Sequence, residues 1–168
     1  MPTATVFEQV EIPAPPAVIW EFRADFLNLP LYNPYVSEVE RIGPKADSAR
    51  GARYSFVLAQ PGHGSAHRRE QRVELEIVES IPASSIVVEL AGGMAAREVF
   101  KVTQLLKPDG SDSDPATLAS IELTMFLPQA LDDKSATRLI SAGRKQIRME
   151  LDNLQVLLSG RQTGPTRS

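Results

Sequence analysis

The densest polar chemistry in the chain lies around one turn: His63 and His67 flank the residues GSA, and Arg69 and Gln71 come after His67 at alternate positions. The two histidines sit in a Pro- and Gly-rich turn rather than on one helical face, and the sequence offers no further ligands to complete a metal site. If Val73, Leu75 and Ile77 face a core, a period of two sends His67, Arg69 and Gln71 to that same side near the hairpin end of the strand. An arginine beside a histidine can orient a carboxylate, phenolate or enolate of a mostly apolar ligand, because charge-assisted hydrogen bonds gain strength away from water. The plainer alternative is that side chains at a strand end simply reach solvent. Tyr54 and Glu8 complete the groups able to move a proton, and the catalytic residues, if any, stay unknown. No nucleophile elbow, Walker loop, dinucleotide fingerprint, HExxH or calcium loop occurs, and no cofactor or metal is expected.

Composition narrows the setting. A chain of 168 residues with 42% hydrophobic and 23% charged residues suits one globular domain with a real core. It has no cysteine, which excludes disulfides, thiol catalysis and Cys-ligated zinc. A net charge of −3, with His67, Arg68 and Arg69 as the one basic cluster, leaves no footprint for nucleic acid. No apolar run approaches the roughly 18 to 20 residues of a membrane span, and the start is not signal-like, so a soluble, cytoplasmic protein is expected.

The elements that must position these residues emerge from periodicity. Thr3 to Ile12 alternates as a strand, with Glu8 sharing the face of Val6 and Val10 and expected in water. Proline then opens a helix over Pro16 to Ala24, and Asp25 caps a second short helix, DFLNL, that Pro30 stops. Period-two patterns predict strands at Tyr35 to Ile42, Arg53 to Gln60, His67 to Glu79, Ile86 to Leu90, Arg97 to Leu106 and Thr117 to Leu127. Short turns between them imply a curved antiparallel sheet of seven strands, whose outward charges Glu70, Arg72, Glu74 and Glu76 face solvent. A stripe through Ala136, Ile140, Gly143, Ile147, Leu151, Leu154 and Leu158 predicts one long helix over Leu131 to Leu158, the element large enough to fill the concave side. The class is α+β, with one domain over 1–159 and a disordered tail over 160–168.

Tyr54, Phe56, Phe100 and Met125 from the sheet, and Leu139, Gly143 and Ile147 from the helix, would then line the space between them. Glycine inside a helix costs about 1 kcal/mol relative to alanine, so Gly143 marks either close packing or room for a ligand.

The stretch EIPAPPAVIWEFRADFLNLPLYNPYVSEVE resembles the N-terminal signature of the polyketide cyclase/dehydrase and lipid transport branch of the START-like superfamily. The matching features are the turn Pro13 to Pro16, Ile19 with Trp20, Asp25, and Tyr32 to Pro34; many relatives have Trp where this chain has Tyr32. The resemblance implies a helix-grip fold with an apolar cavity between sheet and long helix, with Tyr32 added to its lining. It implies binding of a hydrophobic small molecule that is lipid-like, aromatic or polyketide-like. A cyclase or dehydratase acting on a polyketide-like substrate is the second expectation, and a protein-interaction module, such as a partner of a regulator or toxin, the third.

Overall fold

Alternating side chains build seven strands: β1 Thr3–Ile12, β2 Val36–Ile42, β3 Arg53–Gln60, β4 Arg69–Ile81, β5 Ser85–Ala91, β6 Ala96–Gln104 and β7 Thr117–Phe126. The structure is a computed structural model that describes residues 2–43, 49–60, 69–93, 95–106 and 115–161. One sheet runs in the order β1-β7-β6-β5-β4-β3-β2. Every neighbouring pair is antiparallel, so β2 to β7 form a meander and β1 returns to close the β7 edge. The predicted strands recur with ends moved by a residue or two. The largest extension is β4, which runs past a register shift near Glu79 to Ile81 instead of stopping at Glu79. The predicted start of that strand, at His67, lies outside the described residues, as does the tail from Gln162.

The helix α1 spans Pro16–Ala24, as its prolines predict. Asp25 caps the next turn by accepting a hydrogen bond from Leu27 N at 3.1 Å. Pro30 does not end this segment, contrary to expectation. A 3₁₀ turn, Phe26–Asn28, runs directly into α2, Leu29–Tyr32, with Pro30 in its first turn. There a missing N–H costs nothing. The long helix α3 spans Asp133–Leu158, two residues shorter than predicted, because Asp132 is its N-cap and accepts from Ser135 N at 2.7 Å.

Cross-strand register sorts the concave face into rows. Leu75, Leu90, Ala96, Met125 and Ala4 form one row; Ile77, Val88, Glu98, Leu123 and Val6 the next; Ile86, Phe100, Ile121 and Glu8 a third. The middle row is buried throughout. In the row of Leu75, Ala96 and Met125, which are buried, Leu90 and Ala4 are half-buried, as are Val73 and Leu58 beyond it. Cover over the concave face therefore thins toward that end.

Three helices share this face. α3 lies along β1 and more lightly on β7, α1 covers β6, and α2 touches both β2 and α3. The long helix thus does not fill the concave side alone. Its buried residues, Ile147, Glu150, Leu151, Leu154 and Leu158, all belong to its C-terminal half. That half is tied to main-chain carbonyls by Arg148 Nη1 to Gln9 O at 3.3 Å, Asn153 Nδ2 to Tyr32 O at 2.9 Å and Gln155 Nε2 to Glu11 O at 2.7 Å. Glu8, expected in water, instead faces α3 with its side chain largely covered and a carboxylate oxygen 3.6 Å from Arg148 Nη1.

Candidate functional site

Helical spacing in α1 puts Ile19, Phe22 and Arg23 on its covered side, and the guanidinium of Arg23 is carried down onto the concave face above β6. Period two in β6 turns Glu98 inward between Ala96 and Phe100. The stripe of α3 that carries Ile147, Leu151 and Leu154 also carries Glu150. The end of α2 adds Tyr32 and, just beyond it, Asn33. Four elements therefore deliver five polar side chains to one place inside the protein.

Arg23 organises them. Its Nη2 donates to Glu98 Oε1, and the same nitrogen lies 3.5 Å from Glu150 Oε1. Its Nη1 donates to the Tyr32 hydroxyl at 2.9 Å, while Asn33 Nδ2 donates to Glu150 Oε2 at 2.8 Å. The guanidinium carbon stands 4.7 Å from the ring centre of Phe26, 5.4 Å from that of Tyr32 and 5.5 Å from that of Phe100. Aromatic faces suit the weakly hydrated, delocalised cation of arginine. Arg23 is 2% exposed, Tyr32 0%, Glu98 8% and Glu150 6%, so the cluster is all but sealed from water. Among the described residues, Arg23 Nε is the buried side-chain polar atom that has no hydrogen-bond partner in the protein.

One cation faces two carboxyl groups in this space, which sets the electrostatics. Burial pushes the Glu150 carboxyl up to about 7; Arg23 opposes the rise, Glu98 adds to it and the Asn33 hydrogen bond lowers it. Burial also raises the Tyr32 phenol, which Arg23 only partly offsets, so Tyr32 keeps its proton. The Arg23 guanidinium is raised despite its burial, through Tyr32 first and then the two carboxyl groups, and stays charged. The arrangement therefore holds a fixed cation, a phenolic O–H and a carboxyl able to exchange a proton near neutrality.

The residues singled out from sequence are distributed differently. Tyr32 joins the cluster directly, and the Phe100 ring packs against its guanidinium. Tyr54 and Phe56 are buried on the inward side of β3, with Tyr54 against the Phe26 ring at 5.6 Å. Burial raises the Tyr54 phenol, with Asp25 adding to the effect, which makes it a donor rather than a base at neutral pH. Met125 and Ile147 are buried in the core, whereas Leu139 is half-buried. At Gly143 an added Cβ would stand 3.0 Å from Met125 Sδ and 3.1 Å from its Cε, so this glycine marks a close approach of α3 to β7. Gln71 is exposed and lies over Gly93 of the neighbouring hairpin. His63, His67 and the Arg69 side chain lie outside the described residues. No group of three or more His, Cys, Asp or Glu able to hold a metal occurs among the described residues.

Arg23, Asn33, Glu98 and Glu150 were not foreseen as a site. Arg23, Glu98 and Glu150 nevertheless left a signal, a charged group at a position where period or stripe demands an apolar one; Asn33, just beyond α2, left none.

Comparison with known proteins accounts for the scaffold. Residues 3–158 match the family described as polyketide cyclase / dehydrase and lipid transport. The chain belongs to that family. Solved structures similar to this member include a START superfamily protein from Mycobacterium smegmatis, with TM-score 0.70 and 16% identity over 92% of this chain and 99% of the other. The Zhui aromatase/cyclase from Streptomyces sp. R1128 gives TM-score 0.69 and 12% identity over 93% of each chain. A protein from Thermus thermophilus gives TM-score 0.64 and 15% identity over 92% of this chain and 97% of the other. These likenesses establish the helix-grip fold. No curated protein matches this family member by sequence. No helix among the described residues is long and apolar enough to cross a membrane.

Proposed function

We propose that the protein binds a hydrophobic, lipid-like or polyketide-like small molecule on the concave sheet face, beneath the N-terminal half of α3. The observation that carries this reading is that apolar side chains stay only half-buried both on the sheet, at Leu58, Val73 and Leu90, and on the helix, at Leu139 and Ile140. Apolar area that an occupant would cover contributes roughly 25 cal/mol per Å². Membership of a family described by lipid transport supports the same reading. Tyr54 and Phe56 would form the wall next to this surface, and the hairpin residues His67, Arg69 and Gln71 its rim. We place the protein in the cytoplasm, in keeping with a chain without cysteine.

Native mass spectrometry of protein purified from its own host is the direct test. A copurified hydrophobic molecule, lost in a folded Leu139→Glu variant, is the expected result. A folded protein that arrives empty and takes up no fatty acid or aromatic ketone would overturn the reading.

A second reading, a cyclase or dehydratase, is favoured by the Glu150 carboxyl, which burial brings to about 7. In it Glu150 moves the proton while Arg23 and Tyr32 hold a developing negative charge. A rate profile that depends on a group titrating near neutrality, and loses that limb in Glu150→Gln, would support it. Turnover unchanged by that substitution would remove it.

A further inference from the structure

The charges of α3 run against the trend of the chain. Between Lys134 and Met149 the helix carries Lys134, Arg138, Arg144, Lys145 and Arg148 and no carboxylate, in a protein whose net charge is −3. At 3.6 residues per turn, Lys134, Arg138 and Lys145 fall within about 40° of one another, on the side of the helix opposite Gly143. Gly143 faces Met125 and Leu123 of β7, so this stripe points away from the sheet, and all three of its residues are exposed. Arg144, also exposed, stands beside it.

Helix stability does not account for this pattern. Lys134 with Arg138, and Arg144 with Arg148, place like charges four residues apart, which weakens a helix. Lys134 also stands in the first turn of α3, where the helix dipole disfavours a cation. Arg148 is engaged, 3.6 Å from Glu8 and 3.2 Å from Asp152. Lys134, Arg138, Arg144 and Lys145 take part in no ion pair among the described residues. Four cations are thus gathered on one helix with no carboxylate to answer them.

The residues between the cations select the partner. Thr137, Ser141 and Ala142 are the exposed side chains there, all small. A protein partner is held by aromatic or aliphatic anchors, and single-stranded nucleic acid by aromatic stacking platforms; the stripe carries neither. A bilayer rich in anionic lipid asks only for several cations along one surface, because its head groups move to meet them. The acidic balance of the whole chain turns this side of the protein toward such a surface. We propose that Lys134, Arg138 and Lys145, with Arg144 beside them, dock the protein on an anionic lipid bilayer through the outward face of α3. Leu139 and Ile140 lie toward the sheet side of the helix, so the stripe is separate from the proposed ligand surface and does not depend on that reading.

The experiment uses the full chain and vesicles of two compositions, phosphatidylcholine alone and phosphatidylcholine rich in phosphatidylserine. Cosedimentation at low salt should show binding to the second and none to the first, and the binding should vanish in about 1 M salt, where the screening length is about 3 Å. The triple variant Lys134→Gln/Arg138→Gln/Lys145→Gln should bind about a hundredfold more weakly, at about fivefold for each charge removed. Arg53→Gln/Arg72→Gln/Arg97→Gln removes the same charge from exposed ion pairs on the convex side of the sheet and should bind close to the wild type. Equal losses in the two folded variants would overturn the site, since net charge alone would then govern binding. Binding of the wild type to both kinds of vesicle alike, or to neither, would overturn it too. If the folded protein ignores charged vesicles and captures an oligonucleotide or polyglutamate through the same three side chains, the stripe serves a polyanionic macromolecule and the lipid proposal falls.

Discussion

The two halves of α3 are built from the same materials and end in different surroundings. The C-terminal half buries Ile147, Glu150, Leu151, Leu154 and Leu158 against β1 and the short helices, and its polar side chains grip main-chain carbonyls. The N-terminal half has no buried residue, and its inward Leu139 and Ile140 stay half-exposed although they lie on the same apolar side. Burial is thus set less by the stripe than by what stands across from it. α2 and β1 stand across from one half; β7 meets the other closely at Gly143, and the helix before it is only partly covered. Stability should concentrate in the first half and ligand response in the second.

The sharpest challenge to this division is Arg23→Met. It strands Glu98 and Glu150 without their cation and should cost about 3–5 kcal/mol in urea unfolding; a loss below about 1 kcal/mol would show that the cluster is not what holds the C-terminal half of α3 to α1.

Leu151→Ala should cost about 2–5 kcal/mol by opening a cavity, against less than about 1 kcal/mol for Leu139→Ala. Ligand binding should show the reverse order, and equal destabilisation by the two substitutions would erase the distinction between the halves.

Protonation offers a subtler probe. The folded-state value for Glu150 is raised from 4.5 to about 7, so its contribution is fully present below the lower value and is lost as pH rises through the upper one. Relative to Glu150→Gln, the wild type should lose on the order of 3 kcal/mol between about pH 4 and about pH 8. Parallel pH profiles for the two proteins would mean that folding leaves the Glu150 carboxyl at its ordinary value.

The smallest effect is expected at Gly143, in the open half. Met125 Sδ and Cε would meet an added Cβ at 3.0 Å and 3.1 Å, and a flexible methionine can yield to it. Gly143→Ala should change stability by less than about 1 kcal/mol, since the helix preference for alanine offsets the contact, whereas Gly143→Leu should cost about 1–3 kcal/mol. A neutral Gly143→Leu would mean that α3 stands off from β7 in solution.

The sequence was informative wherever the deciding interactions are local. The extent of α1, the Asp25 cap and the strand over Arg53–Gln60 agree with the structure because prolines, capping carboxylates and period two act within a few residues of themselves. Pro30 shows the limit of such reading: a proline that can stop a helix can equally begin one, and packing of Leu29 and Tyr32 into the core selects the second. For the site, the strand-end run drew attention because its polar residues are adjacent in sequence. The buried cluster did not, since Glu98 lies 75 residues from Arg23 and Glu150 lies 127.

By itself the sequence determined the seven strands, the long helix, the outward charges and an apolar concave side, all consequences of side-chain period and turn chemistry. It also held the three misplaced charges of Arg23, Glu98 and Glu150. Only the tertiary structure decided that these three meet, that Tyr32 and Asn33 join them, and that one half of α3 is anchored while the other stays open. The reason is physical: a buried charge is tolerable only beside its partner, and partners brought from four separate elements become neighbours only when the sheet curls and the helices settle onto it.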